Sequence, residues 1–551
     1  MARITQQSSI GTTGTSFENE PIVKSDGASS DVMEWAASTG SSNVKITEDS
    51  ANKLNLSVGG SVTVGSLDIG HGLGGAASST AVGTNALAAS LSTSTRNTAI
   101  GYDALNDLNH ADADRNTAVG AYAGDAITEG AKNTAVGDSA LSSVTTTDFN
   151  VAIGYDALLS YTGSDAVAVG AFAADAATSA ARLTAIGYDA LGVAGTQADC
   201  TAVGYGALDA ATSGSNNTAV GSQALSGTVD GVRNTVMGYA AISNSDCGDD
   251  NTAIGSSALN VFTGSNAVAV GSGAADAATS AANLTVGTGS SGGTGGDNNV
   301  ALGASAGYST TGSRNIYLGR SAGLYATTTD DCIAIGYSAL QAADSAGDNS
   351  DNATGNYNIA IGSYSLDATT SGNQNIAIGY QSGTAITNNY DNVSIGHRAF
   401  ANANDGENYN VAIGSFALNT ETSGTDGNVA VGYYALKTQN GGGQNTAVGF
   451  QAAKALTNAT KGVFVGYNAA GSGTVTGDYN TVLGHSTGFD LTTGASNTLV
   501  GANAGGNLTD SSNNVAIGYN ALLYAASGQT GNVAIGSSAL ANESSGADGC
   551  I

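Results

Sequence analysis

The hydrophobic and polar positions of this chain follow two patterns in succession. Between residues 43 and 68, apolar side chains alternate with polar ones at Val44 and Ile46, at Leu54, Leu56 and Val58, and at Val62 and Val64. A period of two marks strands with one buried face, so a short β region is expected there. From about residue 79 a five-residue string takes over, NTAVG or NVAIG in its commonest forms. Clear copies stand at 116–120, 133–137, 150–154, 217–221, 251–255, 358–362, 410–414 and 532–536. With weaker copies there are 27, ending on glycines from Gly83 to Gly536, most of them 16 to 18 residues apart. A unit that short cannot bury a core alone, so the period predicts stacked coils, one per repeat.

Each column of the repeat suggests a role. The residue before the final glycine (position −1) is aliphatic in all 27 copies, and −3 is mostly Val, Ile or Thr. Alternate residues of a strand face opposite sides, so −1 and −3 share a face, expected to be the inside of the coil. Alanine at −2, present in 20 copies, is then expected to face away, toward a neighbouring coil edge or another chain. The repeat glycines, among them Gly101, Gly120, Gly137, Gly154, Gly221, Gly255, Gly362, Gly414 and Gly536, are expected to turn sharply or take positive φ. Asparagine at −4, also in 20 copies, is placed to form an amide ladder that satisfies turn backbone groups. Alanine stands at +3 in 23 copies, often followed by leucine, as in GYDAL after Gly101. A helical turn competes for stretches such as DALND, but β-branched residues fill the strongest column, so strand is the better assignment. A coil of this length allows two strands of about five residues plus turns.

Composition narrows the class. Charged residues make up 11% of the 551, against roughly 25% in ordinary domains, and 80 residues are Gly with a single Pro. Many small cores suit such a chain; a few bulky ones do not. Glycine shows no three-residue period, which excludes collagen, and 41% hydrophobic residues is too many for a disordered polar chain. The formal net charge of −29 repels phosphate backbones and anionic bilayers, so neither nucleic acid nor membrane is an expected partner. Cys200, Cys247, Cys332 and Cys550 lie far apart with no CxxC spacing and are expected to be isolated reduced thiols. No apolar run suggests a membrane span or a secretion signal.

NVAIG and NTAIG, with Ala-Leu three to four residues later, resemble the head repeats of trimeric autotransporter adhesins of the YadA type, whose consensus is NSVAIG followed by a short turn and a small-residue strand. The resemblance covers about residues 79 to 540, and similar repeats occur in bacteriophage tail fibres. It implies an all-β fold, a left-handed parallel β-roll or β-solenoid of about 27 coils, with three chains packed around a threefold axis. Two departures stand out: the turns are longer here, and Tyr317 and Phe464 replace the usual alanine at −2. No heptads, anchor strands or signal are legible. The expectation is therefore a virion tail fibre, assembled in the host cytoplasm; a bacterial surface adhesin or a filament subunit without receptor role is the alternative.

On that reading residues 1–40 are an attachment segment, 41–78 a short β connector and 79–551 the shaft. Pro21 and Trp35 are candidate virion-attachment residues, meeting a tail, portal or baseplate adaptor. Tyrosine follows the repeat glycine in ten copies, including Tyr102, Tyr155, Tyr188, Tyr433 and Tyr519. Such a row is a candidate contact for a host surface polysaccharide or outer-membrane receptor; a packing ladder between coils is the plainer reading. The long insertion at 341–356 is expected as an acidic surface loop. Asp246, Asp249 and Asp250, and Asp330 with Asp331, match no calcium loop and are expected in solvated turns. The four histidines (His71, His110, His397, His485) are scattered, and a narrow coil leaves little room for a cleft. No catalytic residue, metal or cofactor is expected. The function expected is structural: a stiff homotrimeric shaft that mediates or supports attachment.

Overall fold

The structure is a computed structural model. It describes residues 78–542 except 92, 180–181, 194, 196, 211–212, 228–229, 244–245, 277–282, 291–295, 343–352, 403–405 and 422–425, and it describes five strands nearer the N-terminus. The chain forms two compact units, Met1–Thr196 and Gln197–Ile551. Each contains parallel β-solenoid coils.

Every repeat contributes one three-residue strand, positions −3 to −1, as in Thr98–Ile100, Thr117–Val119 and Thr134–Val136. Successive strands pair in parallel and in register, alanine beside alanine: Ala99 with Ala118, Ala118 with Ala135. In the second unit the ladder runs unbroken from Thr201–Val203 to Val533–Ile535. The coils predicted from the period are therefore present.

The strands expected between residues 43 and 68 are present too, and an unexpected one precedes them at Ser30–Trp35. β1 (Ser30–Trp35), β2 (Val44–Glu48) and β3 (Leu54–Ser57) form an antiparallel sheet. β4 (Val62–Val64) and β5 (Leu67–Gly70) form a second antiparallel pair, and β5 lies antiparallel to the first coil's strand, Ile69 opposite Val82. Pro21 lies outside the described residues, and Trp35 ends β1.

The two faces of the repeat strand are inverted relative to the sequence expectation. Alanine at −2 is inside: Ala99, Ala118 and Ala152 are buried completely, whereas Ile100 and Ile153 at −1 are each 39% exposed and −3 is half-buried. The reason is width. The interior is already filled by alanine at −2, alanine at +3, leucine at +4 and a further side chain at +7, as Ala99, Ala104, Leu105 and Leu108 show, and two more branched side chains per coil do not fit beside them. The exceptions obey the same limit. Tyr317 enters the interior where Gly307 and Gly323 supply the room; a Cβ on Gly307 would stand 2.8 Å from its ring, and one on Gly323 would overlap it. Its hydroxyl meets Thr329 Oγ1 at 2.8 Å. Phe464 fits over Gly462, whose Cβ would lie 2.5 Å from the ring.

The residues after the glycine also depart from expectation. Neither a five-residue strand nor a helical turn forms. Positions +2 and +4 are left-handed, with φ 54° and 50° at Asp103 and Leu105 and 54° and 53° at Asp156 and Leu158. These successive turns reverse the chain and put both alanine +3 and leucine +4 inside. Positive φ disfavours β-branching, which explains why leucine, alanine or glycine fills +4 and a β-branched residue is rare (Ile242 is one). A second run of parallel strands is confined, among the described residues, to Thr420–Glu421, Thr438–Asn440 and Ala455–Thr457.

The glycine has two reasons to be glycine. At Gly154 φ is +143°, and a Cβ would overlap the carbonyl oxygen of Gly170 in the next coil. The asparagine ladder forms as expected. Asn116 N donates to Asn97 Oδ1 (2.8 Å), Asn133 N to Asn116 Oδ1 (2.9 Å), and Asn116 Nδ2 to Gly130 O (2.8 Å). Cys332 takes an asparagine place in this ladder: its N–H donates to Asn315 Oδ1 (2.9 Å), and its sulfur accepts from Asn358 N (3.4 Å). Cys200, Cys247 and Cys332 are buried free thiols, and burial pushes Cys332 up to about 11. Cys550 lies outside the described residues.

The interior becomes polar near the Gly414 and Gly432 coils, where Glu407, Glu421 and Gln439 are fully buried. Glu421 Oε1 accepts from Asn428 Nδ2 at 3.2 Å. Burial, helped by the nearby Glu407 carboxyl, pushes Glu421 from 4.5 up to about 9. A carboxyl that holds its proton more tightly folded than unfolded contributes fully below the unfolded value, and the contribution is lost as pH rises through the folded one. Raising the pH from about 5 to about 9 is thus expected to loosen these coils, with faster hydrogen exchange near Glu421, and Glu421→Gln to abolish that dependence. At Gly432 φ is +134° and the Gly449 carbonyl stands where a Cβ would go, so Gly432→Ala is expected to cost about 2–4 kcal/mol, read as lost exchange protection in both coils.

Candidate attachment surface

With alanine inside, the strands present branched side chains outward. The −1 column carries exposed Ile100, Ile153, Ile186 and Ile254 in sequence, and Leu302 and Ile413 farther on. The −3 column changes character along the second unit. It is threonine at Thr201, Thr218, Thr235 and Thr252, but aliphatic at Val300, Ile316, Ile333, Ile359, Ile376 and Val393. Between the Gly303 and Gly432 coils the outward face of the ladder is therefore two parallel aliphatic rows. Contiguous apolar surface of this kind is rare on a protein that functions as a monomer.

A second outward feature lies in the turn after the glycine. All five candidate tyrosines, Tyr102, Tyr155, Tyr188, Tyr433 and Tyr519, are exposed. Four of them also pack against aromatic rings of neighbouring coils. Tyr102 meets Tyr122 edge-on at 5.4 Å, and Phe172 bridges Tyr155 and Tyr188 at 5.3 and 5.6 Å. The longest run begins at Tyr337 and passes through Tyr364, Tyr380, His397, Phe416 and Tyr434 at centroid separations of 5.1–6.1 Å. Tyr434 touches Tyr433 (4.0 Å), and Phe450, Tyr467 and His485 come next, stacked at 5.4, 5.1 and 5.0 Å. Packing ladder and exposed row are one object.

Six members of the longest run, Tyr364, His397, Phe416, Tyr434, Phe450 and His485, were not singled out from the sequence. His397 and His485 looked scattered, yet both follow a repeat glycine and so occupy the tyrosine place. Phe416 and Tyr434 sit one position later. The legible signal was the repeat position, not the residue type.

The acidic turns tie coils together. Arg233 Nε donates to Asp250 at 2.6 Å and Arg314 Nε to Asp331 at 2.7 Å, one coil on in each case. The arginine hydrogen bond holds Asp250 below the ordinary carboxylate range. Asp249 accepts from Val232 N (3.0 Å), Asp330 from Ser313 N (2.6 Å) and Asp246 from Asp230 N (3.2 Å). These turns are partly exposed but latched, not merely solvated. Of the insertion at 341–356, residues 343–352 lie outside the described residues; Ala353 rejoins the stack by a parallel bridge to Ala326.

Among the described residues no group of three or more His, Cys, Asp or Glu lies close enough to hold a metal ion, and no helix is long and apolar enough to cross a membrane. The ladder and the interior can be separated by mutation. Phe464→Ala, which empties an interior site, is expected to cost about 3–5 kcal/mol, while Phe450→Ala on the exposed ladder costs about 0.5–1.5 kcal/mol, both read by denaturant unfolding. No protein-family model, no curated protein and no solved structure matches this chain.

Proposed function

We propose that the chain is the repetitive shaft of a homotrimeric attachment fibre, in the manner of a bacterial surface adhesin head. The observation that carries this reading is the pair of outward aliphatic rows between the Gly303 and Gly432 coils. Three copies meeting on that face would bury it around a common axis, which is also what the likeness to YadA-type repeats implies. The work of such a shaft is mechanical and adhesive, not catalytic. Each coil templates the next through its strand and its asparagine, so the stack resists bending, and three copies present weak contacts together.

A virion tail fibre is the second reading. The antiparallel strands that run into the first coil, Ile69 opposite Val82, favour it, because they give the shaft a distinct module with which to dock on a tail, portal or baseplate adaptor. Trp35 ends β1 of the separate antiparallel sheet that precedes these strands in the chain.

The full chain is expected to sediment as a trimer at micromolar concentration, and Ile335→Asp with Ile361→Asp to yield a monomer whose far-UV spectrum is unchanged. A wild-type monomer with intact secondary structure would overturn the proposal. Fractionation then separates the two readings: protein in the cell envelope supports the adhesin, and protein in purified particles the tail fibre.

A further inference from the structure

The corner after the repeat glycine is sorted by charge along the chain. In the N-terminal coils, positions +1 and +2 carry Asp103, Asp138, Asp156 and Asp189. From the Gly204 coil onward these two positions hold no acid at all, although the chain carries a net −29. Between Asp367 and Asp490 the whole stretch from +1 to +6 after each glycine is free of acid. Asp367 itself is largely buried, which pushes it up to about 7 and weakens its charge.

Cations fill the same corner. Arg320 lies 5.8 Å from the ring of Tyr337, where the aromatic run starts. Lys437 and Lys454, from consecutive coils, lie 4.6 and 6.0 Å from the ring of Tyr434. Arg398 stands at +2 between His397 and the Phe416 coil. Ten consecutive coils, those of Gly319, Gly336, Gly362, Gly379, Gly396, Gly414, Gly432, Gly449, Gly466 and Gly484, thus carry one unbroken line of rings and cations.

We propose that this line, from Arg320 to His485, is a binding track for a sparsely charged acidic polysaccharide laid along the stacking direction. The ring geometry selects the chemistry. From Tyr433 through Phe450 and Tyr467 to His485 the planes are within 7–21° of parallel, so inner rings cover one another's faces and offer their edges. Ring edges are electropositive and suit oxygen-rich or anionic groups, whereas stacking sugars or bases need free faces. A densely charged polymer such as single-stranded nucleic acid is disfavoured twice, by the covered faces and by the chain's net negative charge. A polymer with its own repeat meets the same contact coil after coil, and weak contacts accumulate.

The track deepens the attachment reading and rests on it for its biological sense. The test uses the full chain with hyaluronate, neutral dextran and oligo(dT) as probes, followed by interferometry, with sedimentation of the same samples. Hyaluronate is expected to bind, to weaken as salt rises, and to lose about tenfold in affinity in a Lys437→Ala/Lys454→Ala variant that keeps its far-UV spectrum. Absence of hyaluronate binding, equal binding to dextran, tighter binding to oligo(dT), or a folded double variant of unchanged affinity each overturns the track. A trimer that ignores hyaluronate defeats the track and leaves the fibre standing. A monomer that binds it through the lysines defeats the fibre and leaves the track.

Discussion

The interior of each coil has the width to take a side chain from the strand, usually alanine, an alanine and a leucine from the turn, and one more side chain at +7, as Ala99, Ala104, Leu105 and Leu108 show. That width constrains much of the rest. Branched residues at −1 and −3 cannot enter, so they stand outside on a strand face that a single chain leaves uncovered. An aromatic at −2 enters only where glycines vacate the space, as Gly307 and Gly323 do for Tyr317. Neighbouring glycines approach so closely that a Cβ on one would overlap the carbonyl of the next. The fold is thus stabilised by many small, similar burials, and the aliphatic rows of the strand face look outward.

Such a coil has little core to offset its backbone, so the hydrogen-bond accounting must be nearly complete. Three-residue strands satisfy only part of it. Asparagine at −4 supplies much of the rest, because its amide accepts from the next coil's backbone N–H and donates to a turn carbonyl, as Asn116 does to Asn133 and Gly130. Cys332 shows how far this can be relaxed: a sulfur accepts the same N–H at longer range. The polar interior around Glu421 is the opposite case, a carboxyl that stays folded by keeping its proton.

The period, the glycines and the asparagine ladder were legible in the sequence because each depends on one residue type at one position. The strand faces were not. Alternation says that −1 and −2 look opposite ways, but which of them looks inward depends on coil width, and hydrophobicity pointed to the wrong one. The turns after the glycine were hidden for a related reason: left-handed conformations at Asp103 and Leu105 come from closure of the coil, against the ordinary preference of those residues. The aromatic run was half-visible. Tyr433 stood out by type, whereas His397 and His485 joined it only by position, and Arg398, Lys437 and Lys454 gained meaning once their coils were stacked.

Because interior demands are met by alanine, glycine, leucine and asparagine, the outward columns are left free to vary, and they vary in long blocks. Position −3 passes from threonine to isoleucine and back to threonine at Thr446. The glycine corner passes from aspartate at Asp103 and Asp156 to rings and cations beyond Arg320. The buried alanine column continues through both changes: Ala118, Ala360 and Ala447 are equally buried. A difference that spans several coils while the alanine column stays buried is not dictated by that column. The variation is confined to the outside of the stack, where the strand face turns aliphatic and the glycine corner turns aromatic and cationic.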